Sequence, residues 1–215
     1  MLLEITESEL KMGRVSDNRN KLMDAVLELI WTCSYGSTTI DQICDKAGVR
    51  KGSFYYYFDS KADLALVAIE AQWGTVRAEC DSLFSSTVPP LERLKNYFDF
   101  GYRFQKQIKE KYGHVLGCAL FALGAEVCTQ EHALQRKIQE ILAYKLKYLE
   151  SAIRDAHAAG LIDAPEPATK ARMIQAYYEG LLTQARIEDN LKVLNEAMAG
   201  ALAILGVKAA AAAAA

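Results

Sequence analysis

Paired cysteines are missing from this sequence. Its five cysteines are an odd number and contain no C-x-x-C pair, which argues against a disulfide framework and against the common zinc-site motifs. His114, His132 and His157 are spaced so that no two share a helical face, so no metal site is predicted. We interpret the cysteines as reduced, buried thiols, with the alternative that Cys118 or Cys128 senses an oxidant or an electrophile.

Long apolar runs are missing as well. No stretch reaches the roughly 18 apolar residues of a membrane span, and the acidic residues near the N-terminus do not fit a signal peptide. These absences predict a soluble, cytoplasmic protein without a membrane partner. The composition is that of a chain that folds, because 51% of the residues are hydrophobic and 24% are charged.

The residue sets that enzymes use are not visible either. We find no nucleophile beside a base, no paired carboxylates, no glycine-rich phosphate loop and no metal set, so neither an enzyme nor a cofactor is predicted. A strong basic field is also missing, since 25 Lys and Arg are set against 27 Asp and Glu. Any case for nucleic-acid binding therefore rests on the geometry of a motif.

Proline is scarce, with four residues at positions 89, 90, 165 and 167. The long intervals between them are rich in Ala, Leu, Glu, Lys and Gln, which favour helices, and apolar residues recur at helical spacing. The sequence therefore predicts an all-α fold of about nine helices. Their approximate ranges are 17–33, 38–46, 50–57, 60–84, 90–112, 114–128, 131–159, 167–187 and 190–206.

Two short helices near the N-terminus are joined by the tripeptide Ala47-Gly48-Val49. The segment from Thr38 to Asp41 has the form of a capping box that starts the first helix. Gly48 can take the left-handed conformation that ends it. This size and punctuation are typical of a helix-turn-helix, whose second helix enters the major groove of DNA.

The second of these helices carries two kinds of residue. Phe54 and Phe58 are four residues apart and give one apolar face that anchors the helix on its neighbour. The other positions combine cations, a hydroxyl and phenols around Gly52, where the lack of a side chain lets a nucleic-acid surface approach. An aromatic core segment is the alternative, but buried phenols would each need a hydrogen-bond partner.

Over residues 17–64 the sequence resembles the TetR family of bacterial transcriptional regulators. The motifs that carry the resemblance are Thr38-Thr39-Ile40, Ala47-Gly48-Val49, Gly52-Ser53-Phe54-Tyr55-Tyr56-Tyr57-Phe58 and Lys61. Ser34 departs from the glycine that usually follows the first helix of the family. The resemblance implies an N-terminal three-helix DNA-binding domain, followed by a larger helical bundle that senses a ligand and dimerises.

The resemblance also implies which residues contact DNA. Phosphate contacts are expected from Thr39, Tyr55, Tyr57 and Lys61. Base-facing positions are expected at Lys51, Gly52 and Ser53, and Tyr56 is expected on a base or a sugar. Because lysine can donate to guanine O6 and N7, we expect a guanine opposite Lys51.

The rest of the chain resembles the family only in the number and order of its helices, so the ligand is weakly encoded. An aromatic stripe and a few residues of other helices are the candidate lining of an apolar pocket. These residues are Trp73, Tyr97, Phe100, Phe104, Cys118, Phe121 and Tyr178. Core packing explains any one of them, but as a set they favour a flat or aliphatic organic effector.

The last two predicted helices carry wide apolar bands with small residues among them. Such bands favour a twofold interface of four helices between two subunits. The candidate interface residues are Tyr177, Leu181, Leu194, Met198 and Leu202. The alternative is that both bands serve the core of a single subunit.

Together these features predict a repressor that binds a palindromic operator as a homodimer and is released by a small, mostly apolar effector. A cysteine-based redox or electrophile sensor and a helical interaction scaffold that does not bind DNA are the alternatives. The predicted domains are a flexible arm over 1–16, a helix-turn-helix domain over 17–62, a ligand-sensing and dimerisation domain over 63–207, and a tail or placeholder alanines over 208–215.

Overall fold

The computed structural model describes residues 7–127 and 129–207, and within them the regular structure is helical. The helices are α1 (Glu7–Thr32), α2 (Ile40–Ala47), α3 (Lys51–Tyr57), α4 (Lys61–Leu83), α5 (Pro90–Tyr112), α6 (Ala119–Val127), α7 (His132–Ala158), α8 (Pro167–Ile187) and α9 (Ala197–Leu205). A 3₁₀-helix, Leu191–Glu196, precedes α9. The predicted all-α fold is confirmed.

Some sequence predictions fall outside the described residues. These are the first six residues of the predicted arm, the candidate sensor Cys128, and the alanine tail over 208–215. The first helix begins at Glu7, ahead of the predicted start near residue 17. No helix within 7–127 or 129–207 combines the length and hydropathy of a membrane span.

The predicted and observed helices differ most around α6 and α9. The sixth helix starts at Ala119 and not at 114, because Gly113 and Gly117 take positive φ angles of 81° and 64°. The buried Gln105 side chain holds this connection, donating to the Gly117 carbonyl (3.0 Å) and accepting from the Gly117 N–H (2.9 Å). The predicted ninth helix is divided, since its first turns form the 3₁₀-helix.

The first compact unit contains the chain up to Trp73 together with Ala122–Ile138. Helices α1, α2 and α3 pack on one another there. Its core consists of fully or almost fully buried apolar side chains, which include Leu22, Val26, Ile43, Phe54, Leu64, Ala68, Leu134 and Ile138. The core therefore fixes α3, the short helix that carries the DNA-contact candidates.

The second unit contains Gly74–Phe121 and the chain from Gln139 onward. Its apolar core draws on α5, α7, α8 and α9 and includes Leu94, Phe98, Leu149, Ile153, Ile174 and Leu205. Arg93 is buried at the start of α5, where its guanidinium bonds Asp155 (2.6 Å) and the carbonyls of Val88 and Ser86. This buried arginine has its polar partners, so it serves the fold.

Candidate functional site

The start of α2 is closed by a reciprocal pair of hydrogen bonds. The Thr39 hydroxyl accepts from the Gln42 N–H (3.2 Å), and the Gln42 side chain accepts from the Thr39 N–H (2.8 Å). The predicted capping box was one residue early, because Thr38 is buried and donates its hydroxyl to the Ser34 carbonyl (2.6 Å). Thr39 is therefore the exposed residue at this helix N-terminus, a position that favours anions.

The turn between α2 and α3 has the predicted form. Gly48 takes the left-handed conformation, with φ 64° and ψ 33°. Its N–H and that of Val49 return to the last carbonyls of α2, and the Val49 side chain is buried. The turn thus fixes the angle at which α3 leaves α2.

Helix α3 has the two faces that its sequence predicts. Phe54 and Phe58 are buried, at 0% and 3% exposure, and their ring centroids lie 6.1 Å apart. Tyr55 and Tyr56 are 54% and 72% exposed, and Tyr57 is half-buried with its ring edge-on to that of Tyr56. The aromatic-core alternative therefore fails for Tyr55 and Tyr56, because they stand in solvent.

The first turn of α3 presents Lys51, Gly52 and Ser53. The Lys51 ammonium lies 2.7 Å from an Asp41 carboxylate oxygen, and both side chains are exposed. This hydrogen bond raises the pKa of Lys51 above its ordinary value, so the side chain stays cationic. A Cβ added at Gly52 would meet no described atom within 4 Å, so packing inside the described protein does not require glycine there.

Lys61 points inward. Its ammonium donates to the carbonyls of Tyr35 (2.7 Å) and Thr38 (2.8 Å) and lies 4.1 Å from the centre of the Tyr35 ring. Burial lowers the pKa of this lysine below its ordinary value, against the opposite effect of Glu126 and Glu131. The ammonium that the family resemblance assigns to phosphate is therefore occupied with the loop between α1 and α2.

The same loop is held by two acidic residues that the sequence analysis did not single out. Glu126 accepts from the N–H groups of Tyr35 (2.9 Å) and Gly36 (2.6 Å), and Glu131 accepts from the Tyr35 hydroxyl (3.0 Å). Burial, helped by Glu131, raises the pKa of Tyr35. The residues that join here are 90 or more positions apart in sequence, so no local pattern could have indicated them.

A second cluster of polar residues lies in the core of the second unit. Glu179 of α8 is 3% exposed, and the Lys145 ammonium of α7 lies 3.7 Å from one of its carboxylate oxygens. Burial raises the pKa of Glu179, although Lys145 opposes the shift. Burial also tends to lower the pKa of Lys145, but the acidic groups Tyr97, Cys118 and Glu179 outweigh it and the pKa is raised. The lysine therefore stays protonated beside the carboxyl group.

Aromatic rings lie beside this pair, since Tyr97 and Tyr178 interact electrostatically with Lys145 and Glu179. The Tyr178 ring lies 5.5 Å from that of Tyr97 and 4.9 Å from that of Phe98. Phe84 lies 5.5 Å from Tyr97 and 5.4 Å from Tyr148 on its other side. A polar pair beside aromatic rings has the chemistry of a small-molecule site, in which few polar groups orient an apolar body.

The predicted pocket residues divide into three groups. Tyr97, Cys118 and Tyr178 belong to the buried cluster. Tyr97 and Cys118 raise the pKa of Lys145, and the pKa of Tyr178, which burial raises most, also responds to Tyr97, Lys145 and Glu179. Phe100 and Phe104 stack on each other at 6.2 Å, and Phe104 is 37% exposed. Trp73 belongs to the first unit and Phe121 is half-buried at α6. The predicted set is therefore only partly assembled, and it lacked Lys145 and Glu179.

The candidate interface residues differ in how deeply they are buried. Leu181 and Leu194 are buried in the core of the second unit, at 7% and 4% exposure. Tyr177, Met198 and Leu202 are half-buried, and the Tyr177 hydroxyl donates to the Glu196 carbonyl (2.9 Å). The core of the chain itself therefore encloses Leu181 and Leu194, whereas Tyr177, Met198 and Leu202 keep some accessible surface.

Comparison with known proteins identifies the family. Residues 22–68 match the model of bacterial regulatory proteins of the tetR family, and residues 90–201 match that of the tetracyclin repressor-like C-terminal domain. The second match alone spans more than half of the chain. The chain belongs to the TetR family. It is a DNA-binding transcriptional regulator and not an enzyme.

Individual relatives of this TetR-family regulator are distant. The transcriptional regulator AcuR of Cereibacter sphaeroides is 29% identical over 78% of this chain and 75% of its own length. The transcriptional repressor NemR of Escherichia coli is 25% identical over 85% and 91% of the two chains. The crystal structure of a regulatory protein TetR from Rhodobacter sphaeroides superposes with a TM-score of 0.74, at 27% identity, over 85% and 95%. The likeness extends over both units of the regulator.

Proposed function

We propose that this regulator is a repressor that binds a palindromic operator as a homodimer and leaves it when a small organic effector binds. Residues 17–62 would bind DNA, and residues 63–207 would sense the effector and dimerise. The observation that carries the proposal is α3, where exposed phenols and Lys51 stand on a helix anchored by Phe54 and Phe58. We propose repression and not activation because the relative NemR is named a repressor.

Most of the DNA contacts that the family resemblance implies are retained in this proposal. Lys51, Gly52 and Ser53 would face bases, because they open α3, the helix that a helix-turn-helix places in the major groove. Thr39, Tyr55, Tyr56 and Tyr57 have hydroxyls that can donate to phosphate oxygens or to a sugar. We assign Lys61 a different role, because its ammonium already bonds two carbonyls. It would hold the N-terminus of α2 in place for DNA.

The dimer surface that we propose is the exposed stripe of α8. Met173 and Ile187 are 46% and 78% exposed, and the exposed small residues Ala176, Gly180 and Thr183 lie between them at alternating spacings of three and four. This spacing puts all five on one side of a helix. Small residues let two helices approach closely, and a twofold pair would cover the two large apolar side chains.

Gly180 offers a clean test of this surface. A Cβ there meets no described atom within 4 Å, so Gly180→Glu fits the isolated subunit and improves the helix propensity of α8. We expect a folded monomer by light scattering with greatly weakened operator binding, because one subunit contacts only one half-site. The control is Gly74→Glu on α4, which makes the same change at another exposed, open helical glycine. A dimeric Gly180→Glu variant with normal operator affinity would place the interface elsewhere.

The thiol alternative is the weaker candidate. Burial raises the pKa of Cys118 to about 11, with Lys145 acting in the opposite direction. A thiol with that pKa is almost entirely protonated at neutral pH, and the thiolate is the reactive species. We therefore favour a reversibly bound effector over oxidation or alkylation of Cys118.

A further inference from the structure

The second unit contains buried polar atoms that the fold leaves unsatisfied. Within the described residues, neither carboxylate oxygen of Glu179, the Tyr178 hydroxyl nor the Gln175 amide nitrogen has a partner in hydrogen-bonding geometry, although the Cys118 thiol and the Lys145 ammonium interact with Glu179 and oppose the rise in its pKa. Glu179, Tyr178 and Gln175 are each more than nine-tenths buried. Buried polar groups in proteins almost always have partners, and leaving several unpaired in one place is costly. Such a group of atoms is explained when a bound molecule supplies the partners.

The unsatisfied groups lie on one side of α8. Gln175 and Glu179 are four residues apart, so they share a helical face, and Tyr178 stands beside them. The Lys145 ammonium reaches towards this face from α7 but remains 3.7 Å from the nearest Glu179 oxygen. That separation exceeds a direct hydrogen bond. One small group that both donates and accepts could bridge the two side chains.

Three side chains of this cluster are partly accessible to solvent. Tyr97, Cys118 and Lys145 keep accessible surface although they lie inside the second unit. Burial is nevertheless the largest single influence on the pKa of each. Because these three side chains are enclosed by protein but not fully buried, some solvent-accessible space remains beside them. The rings of Tyr97, Phe98 and Tyr178 give that space an aromatic wall.

We propose that Glu179 and Lys145 form the polar end of the effector site, and that the effector is a neutral aromatic compound bearing a hydroxyl group. The hydroxyl would donate to the Glu179 carboxylate and accept from the Lys145 ammonium. The ring would lie against the aromatic wall. The inference rests on the proposed effector response and adds the residues and the chemical class.

The charges of the pair decide the class. An ammonium on the ligand would be attracted to Glu179 but would be held beside the Lys145 cation. A carboxylate would be attracted to Lys145 but would be held beside the Glu179 carboxylate that pairs with this lysine. In a buried site such like-charge contacts weigh heavily, because little water screens them. A hydrocarbon without a polar group would leave every unsatisfied atom as it is. A neutral hydroxyl satisfies both partners without either repulsion.

The first test compares four probes with the same ring and different head groups. Benzyl alcohol, benzylamine, benzoate and toluene are titrated into the whole wild-type protein, with binding followed by calorimetry and by the shift in melting temperature. We expect benzyl alcohol to bind at least about tenfold more tightly than the other three, which corresponds to about 1.4 kcal/mol. Preferred binding of another probe, or no measurable binding of any, would overturn the inference.

The second test changes the charge of the site. Glu179→Gln leaves Lys145 unopposed, so benzoate should replace benzyl alcohol as the preferred probe. Lys145→Gln leaves Glu179 unopposed, so benzylamine should become the preferred probe. Lys147→Gln, an exposed lysine on the same helix, is the control and should keep the wild-type order. Variants that retain helical circular dichroism and operator binding but show no change of order would overturn the assignment of these two residues.

Operator binding separates this inference from the proposed function. A wild-type protein that binds operator as a dimer and is released by other apolar compounds, but ignores benzyl alcohol, would overturn only the head-group assignment. A wild-type protein that binds no operator duplex in the absence of any compound would contradict the proposed function itself. Release from operator by benzyl alcohol in wild type, and its loss in Glu179→Gln, would support both.

Discussion

Helix α3 and the buried cluster around Glu179 in the second unit differ in whether their polar groups have hydrogen-bond partners or solvent. Around α2 and α3 the polar groups are exposed, as in Tyr56, or buried or half-buried with partners, as in Thr38 and Lys61. Around Glu179 several buried polar atoms lack hydrogen-bond partners within the described residues. A surface that binds DNA has to be complete and solvated before DNA arrives. A site that encloses its ligand can leave polar atoms unpaired until the ligand supplies partners, at some cost in stability.

The largest expected effect comes from removing Phe54, the buried side chain that anchors α3. Phe54→Ala removes a fully buried ring, so we expect a loss of about 3–5 kcal/mol in the free energy of unfolding, measured by urea denaturation, together with loss of operator binding. Tyr56→Ala removes an equally large side chain that is 72% exposed. It should change stability by no more than about 0.5 kcal/mol and still weaken DNA binding. Equal destabilisation by the two variants would contradict the division of α3 into an anchoring face and a reading face.

An intermediate effect is expected from substituting Lys61. This substitution distinguishes a lysine that stabilises the fold from one that contacts DNA. Lys61→Met keeps the aliphatic stem but leaves the Tyr35 and Thr38 carbonyls without their cation. We expect a loss of about 1–3 kcal/mol in unfolding free energy. The salt dependence of operator binding should stay unchanged, whereas loss of a phosphate contact would lower its slope by about one. Lys21→Met, at an exposed lysine of α1, is the control. A reduced slope with unchanged stability would restore the phosphate contact.

Local signals in the sequence predicted the short helices of the first unit and the ends of two helices of the second. The bounds of α5 and α8 agree with prediction because a proline opens each helix at its first position, where the missing N–H costs nothing. The turn at Gly48 and the two faces of α3 followed from residues within one or two helical turns of each other. The capping box was placed one residue early because Thr38 and Thr39 carry the same hydroxyl, and only packing shows which one is buried.

The buried cluster was not predictable in the same way. Tyr97, Cys118 and Tyr178 stood out as pocket candidates, but Lys145 and Glu179 read as ordinary charged residues of helical segments. Their meeting depends on how α7 packs on α8, which no local spacing encodes. A weak signal was present, since Glu179 follows Tyr178 and precedes Leu181 and Leu182 within an apolar band. A charge in such a position is expected to be paired or functional.

The smallest expected effect concerns the ion pair between Asp41 and Lys51. This pair is exposed, whereas the pair of Lys145 and Glu179 lies in the core. Asp41 and Lys51 are exposed, so their pairing contributes little to stability. Asp41→Asn should hardly change the melting temperature, but it releases the Lys51 ammonium for DNA and removes an anion from the binding surface. We expect operator affinity to rise a few-fold by fluorescence anisotropy. Asp45→Asn, near the other end of α2, removes the same charge from an exposed aspartate that is not paired with Lys51. The smaller gain in operator affinity expected for this variant measures the effect of removing one negative charge that repels DNA.

A double-mutant cycle isolates the part that passes through Lys51. In a Lys51→Ala background, Asp41→Asn should give no more than the gain seen with Asp45→Asn, because there is no ammonium left to release. If Lys51 reads a base, the extra gain in the wild-type background should also be larger on the preferred operator than on unrelated duplex, since a phosphate contact would strengthen both alike. A fall in operator affinity on Asp41→Asn would mean instead that the aspartate holds Lys51 in the geometry that DNA needs.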